Sequence, residues 1–392
     1  MPRLIGTRTP VLIFNTHPIQ YFSPLYRVLA ESDILEPTVL YYRDMTTSDG
    51  YDPGFGHRVE WDIPLREGFR SQVLRRWSPA KWQRLTFCPG ALLQVAKARK
   101  PIVVVHGWMT LTDLMLIVLA PLLGGRVVLR CEAPLMAELA RPQWLRRTRA
   151  ILFRMILARA CAGLAIGSEN RAFYATMRPS LPVLSSPYAI DNARFAPSMV
   201  EGDSRPRIRA ALGINAEAIV GLVVGKLVKY KHPGDVIRAV SLSRQPVEVV
   251  FVGSGSLETS LRALAEELGV THRVHFAGFV NQRELPEQYA AADFLIQAGS
   301  ETWGLTVNEA MASGLPVVVS DRTGSATDLV REGVTGFSFA TGSILALAHL
   351  LDHMASMLPF DRQRLGQAAT EHIAAFSFEE SRLSLEKLAA EL

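Results

Sequence analysis

The stretch FLIQAGSETWGLTVNEAMASGLPVVVS, Phe294 to Ser320, opens and closes with short apolar runs, Phe294–Gln297 and Val317–Ser320, of the kind a buried strand needs. Between them lies a glycine-opened helix that starts near Leu305–Thr306, and Gly314 and Pro316 stop it before the second run. Strand, helix and strand in immediate succession is the repeating step of a parallel sheet covered by helices.

The same alternation continues outward. Upstream runs predict strands at Ile219–Val224, Val247–Val252 and Val274–Phe276. The tail from Asp361 reads as helical, with Ser377 and Glu380 at capping-box spacing. A first series precedes these, with strands predicted at Val11–Asn15, Thr38–Tyr42, Ile102–His106, Arg126–Arg130 and Gly163–Gly167. Ser23 and Pro24 read as the N-cap and first residue of a helix reaching about Glu31. Residues 43–85, rich in Asp, Gly, Pro and aromatics, read as long loops around a cleft. Pro187 interrupts the sheet pattern within Ser185–Asn192, which marks a hinge.

A chain of 392 residues exceeds one ordinary core, so two doubly wound α/β lobes facing one another are expected. The expected division is 1–190, 191–375, and a final helix at 376–392 that packs back toward the first lobe. Cys88, Cys131 and Cys161 are scattered without ligand spacing, which fits neither a disulfide framework nor a zinc site. The N-terminus lacks an apolar core of signal-peptide length. Leu111–Leu123 is too short to span a bilayer and contains Asp113, so a soluble, cytoplasmic chain is expected.

The net charge of +5 is unevenly spread. Arg66, Arg70, Arg75, Arg76, Lys81 and Arg84 face a single acid, Glu67, over 66–84. Arg141, Arg146, Arg147, Arg149, Arg154 and Arg159 interleave with Trp144, Leu145, Ile151, Leu152, Phe153 and Met155, as in a basic amphipathic helix. That pattern suits an anionic membrane surface or a phosphorylated acceptor, and equally an ordinary solvated helix face. No nucleic-acid motif accompanies it, and no nucleic-acid partner is expected.

Ligands of open parallel sheets bind beyond the carboxyl ends of the strands. Four loops of the second lobe therefore matter. Gly225–Lys231 offers a glycine for close backbone approach, and Lys226 and Lys231 to neutralise a diphosphate. Gly253-Ser254-Gly255-Ser256 is a glycine-rich turn opening a helix, suited to phosphate or ribose. Gly278-Phe279 forms an apolar ledge for a base. In the last loop Glu301 can accept sugar hydroxyls, and the start of the helix at Gly304, Leu305 and Thr306 offers N–H groups to an anion. Glu309, one turn in, can take two vicinal hydroxyls, although Thr306 and Glu309 also fit a plain capping box.

These motifs closely resemble the two-glutamate signature of glycosyltransferase family 4, the retaining GT-B enzymes also called glycosyl transferases group 1. The resemblance extends through Gly324–Phe337 and covers about 215–345. It implies that Glu301 contacts the donor hexose, Glu309 the ribose, and Lys226 and Lys231 the diphosphate. It also implies that the Gly304-Leu305-Thr306 backbone binds phosphate and sugar. Lys226 stands where many relatives carry Arg, keeping the charge and losing the bidentate fork.

The first lobe resembles the family less. The loop Thr16-His17-Pro18-Ile19-Gln20-Tyr21 lacks the usual glycine pair, and Arg130-Cys131-Glu132 stands where many members have a histidine. His17, Gln20, His106, Trp108 and Glu132 are therefore the acceptor-side candidates, with His106 and Glu132 possible catalytic groups beside Glu301, Lys226 and Lys231.

Together these readings predict a retaining transferase that moves a hexosyl-type sugar from a nucleotide-diphosphate sugar to a glycan or lipid-linked acceptor. Fixed cations and N–H groups aimed at the departing phosphate would do the work of a divalent ion. No Asp-x-Asp pair is present, and neither a metal nor another cofactor is expected. Surface polysaccharide or lipopolysaccharide assembly, at the inner face of a membrane, is the expected setting. The alternatives are an epimerase-like nucleotide-sugar enzyme, a nucleotide-binding scaffold without activity and, more remotely, a hydride-transfer enzyme. The dinucleotide fingerprint fails at Glu258.

Overall fold

The computed structural model describes residues 8–44, 51–52, 54–77, 83–200 and 202–391; Lys81, one of the cations noted above, lies outside them. The chain divides into two compact units. One comprises Met1–Ser48, Pro64–Tyr188 and Phe378–Leu392; the other comprises Asp49–Ile63 and Ala189–Ser377.

The strands in chain order begin with β1 (Thr9–Asn15), β2 (Leu35–Tyr41), β3 (Tyr51–Asp52), β4 (His57–Arg58) and β5 (Ser71–Val73). Next come β6 (Ile102–His106), β7 (Arg126–Arg130), β8 (Ala162–Ala165) and β9 (Val183–Ser185). The second series is β10 (Ile219–Val224), β11 (Val247–Val252), β12 (Val274–Gly278), β13 (Phe294–Gln297), β14 (Val317–Ser320) and β15 (Gly336–Phe339).

The first unit holds a parallel sheet in the order β5-β2-β1-β6-β7-β8-β9. Its central strands carry unbroken β-branched runs, such as Ile102-Val103-Val104-Val105, buried on both faces. The second unit holds a parallel sheet in the order β12-β11-β10-β13-β14-β15, while β3 and β4 form an antiparallel hairpin. Separate apolar cores cover the two main sheets. The final helix, Phe378–Glu391, belongs to the first unit, where Ser32 donates to Glu386 (2.6 Å) and the Ser186 and Ser381 hydroxyls meet at 2.9 Å.

In each sheet the strand order reverses once, between β1 and β6 and between β10 and β13. At such a switch point the connecting loops part and leave a crevice. The topology thus brings Gly225–Lys231, after β10, beside Ala298–Gly304, after β13.

Two local expectations change. Ser23 is not a cap: Phe22 is the N-cap residue, and the Ser23 hydroxyl donates to the carbonyls of Leu65 (2.7 Å) and Ile19 (3.1 Å). Within 43–85, the two-residue strands β3 and β4 and the three-residue β5 replace part of the expected loop, being too short to leave a period in the sequence. Among the described residues no helix is long and apolar enough to cross a membrane.

Candidate functional site

Lys231 and Glu301 form the centre of the second unit's switch point. The Lys231 ammonium lies 2.6 Å from Glu301 Oε1, and both side chains are largely buried. Glu301 is held from behind, its amide donating to Arg322 O (3.3 Å) and its carbonyl accepting from the Gly324 amide (2.9 Å). From the strand side, Gln297 Nε2 donates to Glu301 Oε1 (2.8 Å), and the Thr306 hydroxyl donates to Gln297 Oε1 (3.2 Å). Gly225 makes room for the lysine: its φ is +120°, and a Cβ there would stand 2.6 Å from Lys231 Nζ.

The helix Leu305–Ala312 points its start at this pair. Gly304, at φ +90° and ψ +68°, is its N-cap, in a conformation that disfavours any side chain. No side chain caps the helix; the Val307 amide donates to Gly304 O (3.0 Å), and the helix start presents the positive end of its dipole. The capping-box alternative is therefore set aside: Thr306 turns to Gln297, and Glu309 Oε2 accepts from the Tyr289 hydroxyl (2.6 Å). Glu309 is sealed from solvent. Trp303 is core, its indole N–H donating to Asn308 Oδ1 (2.8 Å).

The other three loops carry a different set of contacts. Leu227 N donates to Ser254 O (2.9 Å), which joins the Gly225–Lys231 loop to the Gly253–Ser256 turn. Lys226 does not join Lys231's ion pair. Its ammonium meets Asp52 Oδ2 at 2.8 Å and lies 4.9 Å from the Phe55 ring centroid. Burial raises the Asp52 pKa, but the Lys226 ammonium and the Gly54 amide outweigh it and hold Asp52 below the usual carboxylate range. His57 Nε2 lies 2.9 Å from the Ser254 hydroxyl, which donates to Phe55 O at 3.1 Å. The Phe279 ring stands edge-on to Phe55 and His57, both at 5.1 Å, with Trp61 at 6.4 Å.

In the first unit His106 ends β6 and Glu132 follows β7, while His17 and Gln20 lie in the loop after β1. His106 packs against Phe22 (4.9 Å), and the buried Arg130 guanidinium lies between the Phe22 and Tyr188 rings, at 5.0 and 4.7 Å. Burial, with the Arg130 guanidinium close by, holds the His106 imidazole well below its usual range. Tyr188 donates to Glu132. Glu132 keeps part of its surface open, yet burial pushes its carboxyl up, with Arg130 opposing. His17 meets the Thr16 hydroxyl at 2.8 Å, in the loop that also holds the half-buried Gln20. Trp108 packs on Phe153 (5.2 Å) and Phe173 (6.2 Å) at the edge of the apolar core.

Sequence reasoning missed Gln297, Tyr289, Asp52, Phe55, His57 and Trp61. Gln297 left one signal, a polar residue closing an otherwise apolar strand. The last four lie in residues 43–85, read as long loops around a cleft with no side chain singled out.

Two parallel-sheet Rossmann-like units define the GT-B fold, and solved structures share it. The Anabaena protein HepE, solved with UDP and glucose, superposes with a TM-score of 0.74 at 17% identity, covering 98% of this chain and 100% of HepE. WaaG, a glycosyltransferase involved in lipopolysaccharide biosynthesis, gives 0.67 at 18% identity, covering 97% and 99%. Within this fold, residues 204–372 match the family model of glycosyl transferases group 1. A D-inositol 3-phosphate glycosyltransferase of Mycobacterium sp. (strain KMS) is 36% identical over 194 residues, which are 48% of this chain and 42% of that protein. The chain thus spans less than half the length of that curated relative.

Proposed function

We propose that the chain is a retaining, metal-independent glycosyltransferase of family 4, moving a hexosyl-type sugar from a nucleoside-diphosphate sugar to a glycan or lipid-linked acceptor. The observation that carries this reading is the Lys231–Glu301 pair set between Gly225 and the uncapped start of the Leu305–Ala312 helix. It lies inside the segment that matches glycosyl transferases group 1.

The chemistry follows from the charges. Breaking the glycosidic bond to a nucleoside diphosphate leaves charge on the β-phosphate and an oxocarbenium-like sugar. A lysine and a helix terminus aimed at that phosphate stabilise the change by several kcal/mol when water is excluded. In the structure Glu301 takes Lys231's charge. A donor would divide the pair, phosphate to the ammonium and sugar hydroxyls to the carboxylate. Glu309, sealed from solvent in the structure, would meet the ribose only once its Tyr289-bound carboxylate is uncovered. Retention would follow from front-side attack, the acceptor proton leaving with the phosphate. The setting we infer is surface polysaccharide or lipopolysaccharide assembly, and HepE's UDP and WaaG's lipopolysaccharide role support the donor type and the setting respectively.

The same reading includes a membrane-facing surface on the first unit. The helix Gln143–Leu157 exposes Trp144, Ile151, Leu152 and Met155 beside Arg146, Arg147 and Arg154. Arg149 is not part of that surface charge: Glu138, just upstream, takes it through two 2.7 Å bonds, and also pairs with Arg141.

Calorimetry with UDP, GDP, ADP, CMP and dTDP, with and without magnesium, tests the donor site. One nucleoside diphosphate is expected to bind without magnesium, and Glu309→Gln to weaken it at least tenfold. Failure of all five to bind would overturn the donor-site reading, and an inverted anomeric product would remove the retaining mechanism.

A further inference from the structure

Three loops of the second unit were assigned, from sequence, to three parts of one ligand: Lys226 to phosphate, Gly253–Ser256 to phosphate or ribose, and Phe279 to the base. One short segment of the same unit engages all three. Asp52 places its carboxylate on the Lys226 ammonium at 2.8 Å, as a phosphate oxygen would sit. The Ser254 hydroxyl donates to Phe55 O and meets His57 Nε2. The rings of Phe55 and His57 stand against Phe279, with Trp61 beside them. The far end is tied down where Asn281 Nδ2 donates to Glu60 O (2.6 Å) and the Arg283 amide to Asp62 Oδ2 (3.0 Å).

An anion, a hydrogen-bonding group and flat rings, in that sequence, reproduce the chemistry of a nucleotide. We propose that this strap, Asp52 with Gly54–Trp61, is an internal surrogate for the donor nucleotide that occupies its seat, so that nucleoside diphosphate must displace it. The inference rests on the donor-site reading above. It assigns Asp52 a regulatory role, since its carboxylate and the donor's phosphates compete for one ammonium.

The contact is weak enough to yield. Lys226 and Asp52 each keep about a third of their side-chain surface in water, 32% and 31%, and partly exposed pairs of this kind contribute modestly. Apparent affinity falls in proportion to the fraction of molecules whose seat is open. Releasing the strap therefore raises nucleotide affinity by about three- to fivefold.

The experiment is calorimetry on the full chain with UDP, GDP and ADP, comparing wild type with Asp52→Asn and His57→Ala. Thermal melts serve to confirm folding. Both variants are expected to bind the preferred nucleotide about three- to fivefold more tightly. Its addition should change the tryptophan fluorescence of wild type by an increment that Trp61→Phe lacks. Equal or weaker binding by both variants would overturn the proposal and make the strap a wall of the site. If no nucleotide binds to any variant, the donor reading itself fails and the strap proposal falls with it. Binding by the variants alone would support a strap that shuts the seat fully.

Discussion

Lys231 and Glu301 meet at 2.6 Å from the loops that follow β10 and β13, the two strands between which the second sheet reverses its order. Neither residue reaches the other through sequence proximity. The switch point brings them together, and the room left by Gly225 lets the ammonium settle there.

Removing the cation should cost activity and stability separately. Lys231→Met is expected to lower kcat/KM by about 10²–10³, the usual loss for one charge-stabilising group. It also leaves Glu301 largely buried beside no cation, which costs up to about 3 kcal/mol. The double variant Lys231→Met/Glu301→Gln should recover the melting temperature and none of the activity. Recovery of both would make the pair a stability device.

Gln297 positions Glu301 without facing a substrate in its own right. It is 3% exposed, donates to Glu301 and accepts from Thr306. Gln297→Leu keeps the volume and removes both bonds. The expected result is a donor KM raised about tenfold, one lost hydrogen bond to a charged group being worth roughly 1.5–3 kcal/mol. Steady-state kinetics with donor varied would read it, and a fall in kcat with KM unchanged would contradict the assignment.

Much of this site was legible because short, largely buried apolar runs, bounded by turn residues and alternating with helical segments, read as parallel strands. β6, β7, β10, β11, β13 and β14 begin and end where the sequence predicts. The edge strands β5, β9 and β15 were not, since three or four residues with one face wet carry little pattern. Loop motifs showed which residues are chemically capable and not what they touch. Lys226 and Lys231 looked equivalent, yet one pairs with Asp52 and the other with Glu301. Asp52 lies far away in sequence, in a stretch without periodicity, so no spacing rule could have joined it to Lys226.

Stability should depend on pH through His106. Its pKa in the fold is well below the ordinary 6.5, because burial and Arg130 disfavour the imidazolium. Between the two values the unfolded chain binds a proton that the folded one refuses. This contribution is complete above about pH 6.5 and is lost as pH falls toward the folded value, by up to about 1.4 kcal/mol per pH unit. Melting temperatures from pH 8 to 5.5 should therefore fall more steeply for wild type than for His106→Phe. Parallel curves would mean that the imidazole titrates normally.

The proposed membrane-facing surface rests on the helix Gln143–Leu157. Arg146, Arg147 and Arg154 are exposed on it, as are Trp144, Ile151 and Met155. Each arginine near an anionic bilayer is worth about 1 kcal/mol, so three give roughly a hundredfold in partitioning at low salt. Reversing all three to Glu should abolish sedimentation with phosphatidylserine-containing vesicles, while Trp144→Ala alone should weaken it by a smaller, salt-insensitive factor. Arg149→Glu would mislead as a probe, because it breaks the bonds to Glu138 and perturbs the helix itself. Vesicle binding that survives the triple reversal would show that the exposed arginines are only a solvated face.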